Sequence, residues 1–115
     1  MHGIVTLCGS TKFKDTFLLI NRELTMAGYV VLMPGVFLHI ETDPALKERI
    51  LANKEALDIL HKEKIAMSNA IVVVDVDKYV GDSTKSEILF ADRHNKPIFR
   101  FSDGSWKQLL SIRFT

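Results

Sequence analysis

Cysteine occurs once in these 115 residues, as Cys8, so no intramolecular disulfide can form. Long apolar runs are also missing: no stretch of 18 apolar residues exists, which speaks against a membrane-spanning helix. Excess charge of either sign is lacking too, since 15 basic and 14 acidic residues are interspersed for a net charge of +1. That balance argues against a broad surface for a nucleic-acid polymer or a membrane, while a few local groups can still hold a small anion. The opening MHGIVTLCGS has neither a basic flank nor a signal-type core and reads as a first strand, so a cytoplasmic protein is expected. Repeats of domain size, linkers and low-complexity tracts are absent. What is present, 47% apolar and 25% charged residues, suits a single globular domain over residues 1–115. Such a length can bury about 65% of the unfolded surface in one core.

Four short apolar runs stand out as strands: GIVTLC (3–8), YVVLM (29–33), AIVVVDV (70–76) and PIFRF (97–101). None alternates polar with apolar, which suits strands buried on both faces of a parallel sheet. Helical patterns separate them. Phe13, Phe17, Ile20, Leu24 and Ala27 step by four, three, four and three along one face, and Gly28 stops that helix. Leu46, Ile50, Leu57 and Leu60 mark a long helix from Pro44 to about Met67, with room for one break. Residues 84–94 predict a third helix, and 105–112 a short last one. Strands alternating with helices imply βαβ units and a three-layer α/β domain of Rossmann or flavodoxin-like type, with a mainly parallel sheet of four to five strands.

In such sheets ligands bind beyond the carboxyl ends of the strands, near the point where strand order reverses. The tripeptide Ser-Thr-Lys occurs at two such ends, in LCGSTKFKD (7–15) and in VGDSTKSEI (80–88). In the first copy Gly9 permits a tight turn, and Ser10 or Thr11 can cap the following helix. The same turn, with backbone N–H groups, the Ser10 hydroxyl and the Lys12 ammonium, also suits a phosphate. It is not a Walker A loop, because GxxxxGK[ST] is missing. In the second copy Thr84 and Glu87 fit the capping box S/T-x-x-E. A first-turn carboxylate at the mouth of a parallel sheet is equally placed for nucleophilic or acid/base work, so both readings stand.

Weaker signals complete the survey. His61 shares a helix face with Leu57 and Ile50, which suits a partly buried structural histidine. His39 lies on a loop able to cover a pocket, and Asp75 and Asp77 end the third strand. Cys8 stands alone in the sequence, and His61 and His94 lack neighbours at metal-ligand spacing, so neither a metal nor a cofactor is expected. Ser10 has no evident base partner for acyl transfer.

Three stretches together, LCGSTKF, LHKEKIAMSNAIVVVDV and YVGDSTKSEILFADRHNKPI, resemble the nucleoside 2-deoxyribosyltransferase-like superfamily. That superfamily includes nucleoside deoxyribosyltransferases and 2'-deoxynucleoside 5'-monophosphate N-glycosidases. The resemblance covers residues 3–101, and its most specific part is Gly81, Thr84, Glu87, Ala91 and Lys96-Pro97. It implies that Glu87 attacks the anomeric carbon of a (deoxy)ribose as the base departs, in the manner of a retaining glycosidase. The helix N-terminus is expected to keep Glu87 ionised. The resemblance assigns the 5'-phosphate to Ser10, Lys12 and the Gly9 backbone, with Gly81, Ser83, Thr84 and Ser86 lining the same pocket. Near the position of a family aspartate stands His61, able to act as general acid. A first-strand tyrosine of the glycosidase branch is matched by Thr6. The expected partners are a small nucleotide or nucleoside and a second copy of the chain, with helix 44–67 as the candidate contact.

Overall fold

Four short apolar runs pair into one sheet in the computed structural model, which describes residues 1–114. Strands β1 (Gly3–Gly9), β2 (Tyr29–Leu32), β3 (Ala70–Val74) and β4 (Ile98–Arg100) lie in the order β2-β1-β3-β4, all parallel. Helices α1 (Lys14–Met26), α2 (Pro44–Ala52), α3 (Lys54–Met67) and α4 (Asp82–Arg93) connect them. The arrangement is that of a Rossmann or flavodoxin-like α/β fold. No helix among the described residues is long and apolar enough to cross a membrane.

Side-chain alternation along the two central strands builds two cores. Val5 and Leu7 of β1, with Val72 and Val74 of β3, pack against Phe17, Ile20 and Leu24 of α1 and against Trp106 and Leu109. Cys8, Ile71 and Val73 face the other way, toward Ile65 of α3 and Ala91 of α4. Each wholly buried aliphatic side chain contributes roughly 1.5–3 kcal/mol. The two strands therefore fix α3 and α4 relative to each other, and that positions the site.

Several boundaries differ from the sequence reading, each for a local reason. The long helix breaks at Asn53, whose φ of −112° and ψ of 12° leave it outside both α2 and α3. Leu60 points into solvent at 57% exposure, and the buried line of α3 runs through His61 and Ile65 instead. β3 stops at Val74 because Val76–Lys78 coil into a 3-10 turn in which Asp77 and Lys78 take positive φ of 54° and 64°. Residues Ser105–Leu110 form 3-10 turns, not an α-helix. Gly28 does end the first helix, with φ of 101°.

The chain moves outward from β1 to β2, then returns across β1 to β3. The order therefore reverses between β1 and β3, which meet at their carboxyl ends through Gly9 opposite Val74. The Ser10-Thr11-Lys12 turn leaves directly from this point, and Ser83-Thr84-Lys85 follow β3 in the first turn of α4.

Candidate functional site

Gly9 is a glycine for a steric reason: a Cβ there would lie 2.7 Å from the Val74 carbonyl oxygen. The chain then turns at Ser10, whose Oγ accepts the Lys12 amide at 3.4 Å and caps the 3-10 turn Thr11–Phe13. This turn runs into α1, whose own N-cap, Phe13, has no side-chain cap bond. The Lys12 ammonium sits 3.6 Å from the centre of the Tyr79 ring, a cation–π contact that joins the turn after β1 to the loop after β3. Phe13 adds an edge-on ring contact to Tyr79 at 6.0 Å. Thr11 Oγ1 lies 2.7 Å from His39 Nδ1, tying the 38–40 turn to the same place.

Asp75 has a different task. Its buried carboxylate accepts Ser102 N at 2.8 Å and Ser102 Oγ at 2.7 Å, with Arg100 Nη1 at 3.4 Å. It latches the end of β3 to the turn after β4. Thr6 is equally internal: its hydroxyl reaches the Lys64 carbonyl at 3.1 Å and pairs with Ser68.

The second Ser-Thr-Lys copy corrects two expectations. α4 starts at Asp82 with Gly81 as N-cap, so Thr84 lies inside the first turn and makes no cap bond. Glu87 is thus too far along the helix to close a capping box; it points into the protein at 8% exposure. Burial also overrides the helix N-terminus. Desolvation first, and then the Asp58 charge, push the Glu87 carboxyl up to about 7, against the opposing pull of Lys62 and Lys54.

Facing it on α3 is His61, 7% exposed, with Nε2 3.9 Å from Glu87 Oε1 and without a hydrogen-bond partner. Desolvation and then the Lys64 charge lower this imidazole to about 4, while the Leu7 backbone and Asp58 act in the opposite sense. At neutral pH the imidazole is therefore neutral, and the carboxyl lies near the middle of its titration. Cys8, wholly buried on β1, brings its sulfur to the same place: donor atoms of Cys8, His61 and Glu87 all lie within 4.8 Å of one another. Burial pushes the Cys8 thiol well above its usual range, and the Glu87 charge adds to this.

Above the pair, α3 and α4 are stitched together. Lys54 Nζ donates to Asp58 Oδ2 at 3.1 Å and to Ser83 Oγ at 3.0 Å, and Lys62 Nζ donates to Ser86 Oγ at 2.7 Å. Ser83 and Ser86 are thereby turned toward α3 rather than toward the turn after β1. Two surface hollows exist elsewhere. One, of about 400 Å³, lies between Lys14, Leu46 and the 35–41 loop, and another of about 440 Å³ lies around Trp106.

The fold thus assembles two groups of the residues singled out in the sequence. Lys12, in the turn that follows Gly9 and Ser10, meets Tyr79, and Glu87 meets His61. Sequence reasoning missed Cys8 as a neighbour of this pair, although its alternation with Leu7 on β1 puts it on the α3–α4 face. It also missed Asp58, whose position three residues before His61 on one helix was the available signal. Tyr79 had no sequence signal of its own. Comparison of the chain with protein-family models, curated proteins and solved structures finds no match to any of them.

Proposed function

We propose that this protein cleaves, or transfers across, the N-glycosidic bond of a nucleoside 5'-monophosphate, with Glu87 as nucleophile. The observation that supports it most is the pairing of a buried carboxyl with a buried imidazole whose Nε2 is unpartnered, at 3.9 Å, beside the point where strand order reverses. Ordinary packing does not call for such a pair, because burying both groups is costly.

A proton on the Glu87 carboxyl supplies the chemistry. Its transfer from Glu87 to His61 Nε2 creates a carboxylate nucleophile and an imidazolium acid in one step. The carboxylate oxygen forms a bond to the anomeric carbon as the bond to the base nitrogen breaks, and His61 gives its proton to that nitrogen. Water or a second base then attacks the glycosyl-Glu87 ester, returning its proton to His61 and freeing the carboxylate. Lys12 and the Ser10 turn hold the 5'-phosphate; Gly81 and Thr84 line the approach. Substrate entry breaks the Lys54–Ser83 and Lys62–Ser86 bonds, whose serines then turn to the sugar or phosphate.

A second reading, a nucleotide-binding module without turnover, is favoured by that same closed α3–α4 seam. Glu87→Gln separates the two. Under the glycosidic reading the variant still gains thermal stability from a monophosphate but releases no base. A wild type that is stabilised by the nucleotide and releases no base supports the binding module.

A further inference from the structure

One side chain at the site has no part in the glycosidic chemistry. Cys8 Sγ, a His61 ring nitrogen and a Glu87 carboxylate oxygen converge from three different elements to within 4.8 Å of one another. Core packing of Ile65, Val73 and Ala91 around Cys8 fixes those elements, so no loop has to close to form the cluster. His61 Nε2 is the second observation: it is buried, faces the cluster and has no hydrogen-bond partner. A buried polar atom left this way is costly unless a ligand completes it.

We propose that Cys8, His61 and Glu87 form a binding site for one zinc-class divalent transition-metal ion. Zinc bonds to sulfur, imidazole nitrogen and carboxylate oxygen span about 2.0–2.3 Å, which sets tetrahedral donors roughly 3.4–3.6 Å apart. The 3.9 Å between His61 and Glu87 needs only a few tenths of an ångström of contraction, and a donor pair at the 4.8 Å limit about 1 Å, within reach of side-chain rotation. Sulfur, nitrogen and oxygen together select zinc, cobalt or cadmium over magnesium and calcium, which take all-oxygen shells. Three protein ligands leave a fourth position for water or an anion. Binding displaces the Cys8 proton, and the Glu87 proton wherever the carboxyl holds one, to solvent, and the two ligand charges, thiolate and carboxylate, balance the ion. The site stands apart from the glycosidic reading: the ion needs no nucleotide, and by occupying Glu87 it blocks attack on a sugar.

The test uses the full chain, stripped with chelator, kept reduced and free of nucleotide. Cobalt is titrated in and followed by absorption, and zinc is then added as competitor. The expected result is one equivalent bound, tetrahedral d–d bands and a thiolate-to-cobalt charge-transfer band, all removed by zinc. Cys8 is the only thiol in the chain, so that band reports it alone even if Cys8→Ala fails to fold. His61→Gln and Glu87→Gln each weaken binding by more than about 10-fold, while His94→Gln, at an exposed histidine, leaves it unchanged. No saturable binding, a cobalt spectrum without the charge-transfer band, or loss of binding in His94→Gln overturns the proposal.

Discussion

At the scale of single residues, the informative fact is that two titratable groups at one spot are shifted in opposite directions. Glu87 is raised to about 7 from 4.5, so between those values the folded protein holds a proton that the unfolded chain releases. Its contribution to stability therefore falls as pH rises. His61 is lowered to about 4 from 6.5, so there the unfolded chain binds the extra proton and stability rises with pH. The two slopes oppose each other between pH 4.5 and 6.5. Glu87→Gln removes one, and its stability relative to wild type should climb with pH in that window by up to about 1 kcal/mol per unit. His61→Gln should show the reverse trend. Urea unfolding in the presence of chelator measures both, and parallel pH profiles for all three proteins would contradict the assigned shifts. Thr84→Val is the companion test of the corrected cap: stability should stay within about 0.5 kcal/mol, where loss of a true N-cap costs about 1.

At the scale of elements, the sequence was readable where its signal was periodic and silent where three-dimensional contact decides. The unbroken apolar runs of β1 and β3, and the Phe17, Ile20, Leu24 face of α1, were legible because burial on two faces or on one stripe leaves a pattern. Helix starts were less so. The S/T-x-x-E spacing at Thr84 and Glu87 suggested a cap, yet α4 begins at Asp82 with Gly81 as its N-cap. The meeting of Cys8 with His61 and Glu87 was invisible, since it depends on which strands are neighbours. Gly9 tests that strand adjacency. An added methyl would stand 2.7 Å from the Val74 oxygen, so Gly9→Ala should cost about 1–3 kcal/mol in urea unfolding. A neutral result would mean that β1 and β3 do not approach each other as described.

At the scale of the whole molecule, a four-stranded sheet with helices on both faces leaves the outer side of α3 uncovered. Ile59, Leu60 and Met67 are 58%, 57% and 63% exposed there. Their spacing puts them on one stripe, opposite His61 and Ile65, and a second copy of the chain is the proposed cover. Light scattering at micromolar concentration should give a dimer, and Ile59→Lys with Leu60→Lys a monomer; a monomeric wild type would rule that cover out. Glycosidic cleavage at Glu87 is the larger commitment, and base release decides it. Ribo- and deoxyribonucleoside 5'-monophosphates and their nucleosides are each incubated with the protein, and free base is resolved by chromatography. Free base should appear from monophosphates with the wild type and from none of them with Glu87→Gln. Release that persists in Glu87→Gln, or no release from any member of the panel, would contradict the glycosidic reading.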